Sequence, residues 1–180
     1  MSRWKIVSQK TILRAKLFDV KQIEFETKTG RKKIHHQADR VPIVSIFPLT
    51  DSYEIYLVSE YRYMLKKTVL QAVAGHIEKK ETSIAAAKRE LKEETGIISH
   101  QLEEIARIEM SGSVFNSKSY LFLAKGLEIG DNKLDDDEDI TVVKISLSEA
   151  VEKVMSGEIN HAASIIGILM LDKLRMQKKL

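Results

Sequence analysis

Residues 75–97 read GHIEKKETSIAAAKRELKEETGI, and the fold and chemistry of the chain turn on how this stretch is read. Thr82 to Thr95 carries the clearest helical signal, with Ile84, Ala87 and Leu91 spaced as one stripe toward a core. Gly96 stands where a left-handed C-terminal cap belongs. Positions i, i+3 and i+4 share a helix face, so Glu90, Glu93 and Glu94 project to one side, and Arg89 can pair with Glu93 four residues on. Glu81, just ahead of the helix, suits the positive end of its dipole. The other three acids do not suit their end. They crowd the last turns, where the dipole repels anions and each exposed like-charge pair costs roughly a few tenths of a kcal/mol. A divalent cation would remove that cost, and carboxylate oxygens favour Mg²⁺ or Mn²⁺ over zinc. A solvated charged face is the competing reading of three acids taken alone.

The rest of the composition narrows the classes. The chain has 180 residues, 43% apolar and 31% charged, as expected for one globular domain with at most a small appendage. Its 29 basic and 26 acidic residues leave a net charge of +3, and the basic runs Arg31-Lys32-Lys33 and Lys178-Lys179 are short. A nucleic-acid binder would gather its cations into a patch or stripe, so no nucleic-acid partner is expected. Cysteine is absent, which excludes disulfides, thiolate nucleophiles and cysteine-held metals. No apolar run approaches the roughly 18–20 residues of a membrane span. The opening MSRWKIVSQK lacks the apolar core of a signal peptide, so the expected setting is cytoplasmic, without a membrane partner.

Outward from the helix, strand and helix signals interleave. Trp4, Ile6 and Val7, then Ile12 through Phe25, read as short strands ending at the turn Lys28-Thr29-Gly30. Val41 to Leu49 and Glu54 to Ser59 are apolar enough for central strands, and Thr68 to Ala74 reads as another β-rich piece. Strands follow at Leu102 to Met110, Ser119 to Ala124 and Ile140 to Ile145, with a serine-capped helix from Ser148 to Ser156. Ala162 to Gln177 reads as a closing helix with Ile165, Ile166, Leu169, Met170 and Leu174 on its apolar side. There is no regular βαβ repeat, so the expected class is α+β, a mixed sheet covered by helices. Residues 1–40 should form a small antiparallel sheet and 41–180 the main domain. A lone small sheet is marginal, so it should pack on the body or on a second subunit.

Gly75, Glu81, Arg89-Glu90-Leu91, Glu93-Glu94 and Gly96-Ile97 together meet every fixed position of a nine-position pattern, and in this the stretch resembles the Nudix box. The resemblance implies a Nudix hydrolase: an α/β/α sandwich whose loop-helix-loop binds divalent metal and cleaves a nucleoside diphosphate linked to another group. Carried onto matching positions, it implies Glu90 and Glu94 as principal metal ligands, Glu93 close to the metal, and the backbone carbonyl of Ala74 as a further ligand. Glu93 and Glu94 are thus also candidates for the catalytic set. Gly75, Glu81, Arg89 and Gly96 would be its structural members, Arg89 and Glu81 holding helix and loop in place.

The flanks resemble the ADP-ribose and nucleotide-sugar pyrophosphatases of that family. Ser59-Glu60-Tyr61-Arg62-Tyr63 is similar to their strand-end segment, which makes Arg62 the candidate phosphate contact. Gln71 to Gly75 is similar to the approach to their box, with alanine where proline is frequent, and Leu134 to Leu174 is similar to their C-terminal part. The acid run Asp135 to Asp139 fails as a calcium loop, since Asp136 stands where glycine is required. In the relatives a loop acid at this place serves the attacking water; Asp136 matches best and Glu138 is the alternative. Gly112 replaces the proline of their serine-proline-glycine turn, a loop that fits the distal sugar, so GDP-mannose and other nucleotide sugars stand beside ADP-ribose as expected substrates. Phe18 matches an aromatic in relatives and, like Trp4, is a candidate for stacking on a base, with core packing the alternative. His35 and His36, adjacent in a strand, point to opposite faces and do not make a metal pair. The resemblance further implies a homodimer with exchanged N-terminal sheets.

Overall fold

The computed structural model describes residues 4–109, 112–130 and 139–180. The chain divides into two compact units, Met1–Pro42 with Glu109–Lys118, and Ile43–Ile108 with Ser119–Leu180.

In the first unit, β1 (Lys5–Arg14), β2 (Phe18–Glu26) and β3 (Lys32–Arg40) form an antiparallel meander, and the two-residue β9 (Phe115–Asn116) adds in parallel beside β3. Gly30, at φ 76°, makes the turn between β2 and β3 that a Cβ would strain. Every residue of β1 is exposed, and Trp4 meets Phe25 edge-on at 4.7 Å between ring centroids. Asp39 fastens the sheet's far side, accepting from Lys21, Gln37 and Asn116. The Lys21 contact chiefly holds its carboxyl below the usual carboxylate range.

The second unit is layered. One sheet has the order β7 (Val73–His76), β4 (Ile43–Pro48), β10 (Lys118–Ile129), β8 (Ile97–Glu109); a second has the order β11 (Ile140–Ser146), β5 (Glu54–Arg62), β6 (Lys67–Gln71). β4 runs parallel to β10 and antiparallel to β7. It is buried along its whole length, which is why it reads as a continuous apolar run rather than an alternating one. Successive strand residues point to opposite faces. Phe47, Leu121 and Leu123 therefore join α2 (Leu147–Met155) and α3 (Ala162–Met176) in one core cluster, with Leu147, Ala150, Ala163, Ile168 and Leu171. Val44, Ile46, Phe122 and Ala124 join α1 (Ser83–Thr95) in the other, through Ala86, Ala87 and Leu91. Helices thus cover both faces, and the α/β/α sandwich of the α+β class is the fold. No helix among the described residues is long and apolar enough to cross a membrane.

The β-rich piece Thr68 to Ala74 resolves into two strands: β6 pairs with β5 up to Gln71, β7 pairs with β4 from Val73, and Ala72 is where the chain passes from one sheet to the other. Two local expectations are corrected. On α1, Ala86 is buried and Ile84, in the first turn, is 45% exposed. On α3, Ile165, Ile166 and Leu174 pack on the core as expected, but its fully buried face is Ala163, Gly167, Ile168 and Leu171, and Leu169 turns outward. Small residues win there because the helix lies close on the sheet: a Cβ on Gly167 would stand 2.0 Å from Cζ of Phe47.

Candidate active site

The site is assembled around α1. Thr82 caps its start, its hydroxyl accepting from the N–H of Ala85 at 3.2 Å. Gly96 ends it at φ 72°, donating to the carbonyl of Lys92 at 2.9 Å. Between these caps the helix presents Arg89, Glu90, Glu93 and Glu94 toward the loop before it and the strand β7.

Arg89 organises this corner. Its Nε and Nη2 donate to the two oxygens of Glu81, each at 3.0 Å, in the bidentate fork that suits a guanidinium. Nη2 also donates to the carbonyl of His76 at 2.9 Å, and Nη1 to Glu90 at 2.8 Å and Glu93 at 3.0 Å. One cation therefore ties strand end, loop and helix together. Glu81 closes the loop on itself by accepting from the N–H of Glu78 at 3.0 Å. The charges answer accordingly: the Arg89 guanidinium holds the Glu81 carboxyl below its ordinary range, and Glu81, with Glu90 and Glu93, raises Arg89 further still.

Glu90 and Glu94 meet β7 one residue apart. The Glu90 carboxylate lies so close over Gly75 that a Cβ there would stand 1.8 Å from Cδ. Only glycine leaves that space. Glu94 is buried, and its Oε2 faces the N–H of Ala74 at 3.4 Å. Glu93 is the outermost of the three, with 46% of its side chain exposed. Ala74, Gly75, Glu81, Arg89, Glu90, Glu93 and Glu94 are thus brought together in one unit.

A second arm ends beside β6. Arg62, the last residue of β5, places Nη2 2.8 Å from Oε2 of Glu60, and the same oxygen accepts from Nε2 of Gln71 at 3.2 Å. Phe18 and Gly112 belong to the other unit: Phe18 opens β2 opposite Arg40, and among the described residues, chain neighbours aside, nothing lies within 4 Å of where a Cβ on Gly112 would stand. Asp136 and Glu138 lie outside the described residues. Sequence reasoning passed over Glu60, Gln71 and the His76 carbonyl. Glu60 was findable, because residues two apart on a strand share a face with Arg62; Gln71 was not, since its reach depends on the register of β6 against β5.

The donor set suits a hard divalent cation: carboxylate oxygens at Glu90, Glu93 and Glu94, with a backbone carbonyl at Ala74 as a further candidate. Gly75 adds the room that keeps the Glu90 carboxylate against the strand. Among the described residues no three His, Asp or Glu side chains stand ready as a metal cage. Arg89 instead balances Glu90 and Glu93, which lets like charges share the corner.

Residues 39–164 match the family model of the NUDIX domain. The chain is 29% identical over 171 residues to an ADP-ribose pyrophosphatase of Bacillus subtilis (strain 168), covering 91% of this chain and 92% of that one. It is 26% identical over 168 residues to the ADP compounds hydrolase NudE of Escherichia coli (strain K12), covering 92% and 90% respectively. The crystal structure of an ADP compounds hydrolase shares the fold at a TM-score of 0.86 and 24% identity, over 100% of this chain and 98% of that one.

Proposed function

The chain belongs to the NUDIX family of hydrolases, and from that premise we propose that it cleaves the pyrophosphate bond of ADP-ribose or a related nucleoside diphosphate sugar. The products are a nucleoside monophosphate and a sugar phosphate. The observation that carries this reading is the pairing of Glu90 with Gly75 and Glu94 with Ala74, on a helix tied to its loop by Arg89. When bound, Mg²⁺ or Mn²⁺ held by Glu90, Glu93, Glu94 and the Ala74 carbonyl would offset the charge of the diphosphate and lower the pKa of the attacking water.

The chain's own groups do the positioning. Arg62 offers a planar guanidinium to the phosphates, which it can engage through two donors at once. Glu60, itself held by Gln71, fixes that guanidinium from behind. Water attacks phosphorus, the bridging P–O bond breaks, and the water's proton passes to a loop carboxylate, Asp136 or Glu138. Phe18 would stack on the base and Gly112 would border the distal sugar. Glycine at 112 stands in place of a rigid proline turn at the sugar end, so GDP-mannose and other nucleotide sugars share the proposal with ADP-ribose.

Incubation with Mg²⁺ and a panel of ADP-ribose, GDP-mannose, UDP-sugars and dinucleotides should release a nucleoside monophosphate from at least one nucleotide sugar. No turnover of any would refute the reading. Tight ADP-ribose binding without hydrolysis would point instead to a nucleotide-sensing module.

We also propose a homodimer, acting in the cytoplasm, in which N-terminal sheets are exchanged. Its support is β1, which leaves Ile6, Ile12 and Leu13 about half exposed or more in the single chain. Sedimentation should give the mass of two chains; a monomer at micromolar concentration would reject the exchange.

A further inference from the structure

We propose that Ser164 is a positioning residue for the hydrolytic site, acting through the backbone of Ala72; this rests on the hydrolase reading above. One backbone group near the site has no strand partner. At Ala72 the chain leaves the sheet of β5 and β6 and enters that of β4 and β7. Its N–H belongs to neither ladder, and the residue is fully buried, so water cannot take it. The hydroxyl of Ser164, in the first turn of α3, accepts that N–H at 2.9 Å. Ser164 is itself fully buried, and its Oγ lies 2.9 Å from Nδ1 of His161. The arrangement that satisfies all three groups has the hydroxyl donating to Nδ1 and the ring hydrogen on Nε2.

The pinned residue stands between both arms of the site. One position before it, Gln71 donates to Glu60, which holds Arg62. Two positions after it, the N–H of Ala74 faces Glu94, and the next residue, Gly75, carries Glu90 against its Cα. Four residues of one extended segment therefore set the phosphate-contacting arginine and the carboxylates relative to each other, and Ser164 is the side chain that anchors its middle. Among the described residues, the hydrogen bonds of Ser164 go to Ala72 and His161 and to none of Arg62, Glu90, Glu93 or Glu94.

The test uses the whole protein, with and without Mn²⁺. In the metal-free wild type the Ala72 amide should be among the slowly exchanging ones, and Ser164→Ala should speed exchange at residues 72–74 by roughly tenfold. Ser164→Ala should also weaken Mn²⁺ binding, titrated by the spin resonance of the free ion, by about tenfold. Ser164→Thr, which keeps the hydroxyl, should restore both. Leu147→Ala, a cavity in the same core but outside the hydrogen-bonded chain of Ala72, Ser164 and His161, should lower stability and leave Mn²⁺ affinity unchanged. A fast-exchanging Ala72 amide in the wild type, or wild-type exchange and affinity in Ser164→Ala, overturns the proposal; so does a threonine variant no better than alanine. Absence of Mn²⁺ uptake by the wild type would strike the hydrolase reading instead, and the exchange measurement would still decide the role of Ser164.

Discussion

Glu94→Gln should lower turnover of the nucleotide substrate by about a thousandfold or more, equivalent to about 4 kcal/mol of transition-state stabilisation. The substitution keeps the size of a side chain that is buried at 6% exposure, and it keeps an oxygen able to accept from the N–H of Ala74. What it removes is the charge. A stabilising role confined to packing would then leave catalysis nearly intact, whereas a role in balancing a divalent cation would not survive. The comparison is of steady-state rates in saturating Mg²⁺, alongside thermal unfolding to show that the fold persists. Activity within about tenfold of wild type would exclude Glu94 from the metal set.

Arg89→Met should cost about 2–3 kcal/mol of stability at neutral pH, somewhat below the cost of breaking a fully buried pair because 27% of the Arg89 side chain is accessible. Methionine retains the apolar stem but leaves Glu81, Glu90 and Glu93 without the cation that joins them, and the His76 carbonyl without its donor. The sign of the pH dependence follows from Glu81, whose carboxyl is held below its ordinary value of 4.5 chiefly by the hydrogen bond from Arg89. A lowered carboxyl pKa stabilises the folded state fully above the unfolded value, and the contribution is lost as pH falls through the folded one. The gap between wild type and variant should accordingly be constant above about pH 5 and close on acidification below about 4.5. Urea midpoints measured from pH 7 to pH 3 would show this. A gap that persists undiminished at pH 3 would mean that Arg89 acts through packing alone.

Much of this corner was readable from the chain itself because its signals are local. Thr82, the spacing of Glu90, Glu93 and Glu94, and Gly96 all lie within a single helix and its caps, where periodicity and cap chemistry translate directly into geometry. The crossing at Ala72 left no such mark. Val69 and Val73 are both good strand residues, and nothing in their composition says that they pair with different neighbours. The serine that satisfies Ala72 lies 92 positions away, a separation at which only the folded chain makes the connection. The outward turn of Leu169 on α3 escapes the sequence for a related reason. Leu169 and Met170 outrank Ala163 and Gly167 in hydrophobicity, but how near a helix sits to its sheet is decided by the smallest residues between them.

That nearness has an effect of its own. The tip of Phe47 fills the notch left by the missing side chain of Gly167, so α3 is indexed against β4 as by a detent. Sliding the helix by one residue, about 1.5 Å, would push a neighbouring side chain into the ring. The reach of Ser164, three residues earlier and so nearly one turn away, is therefore set by steric fit at Phe47 as well as by its hydrogen bond to Ala72.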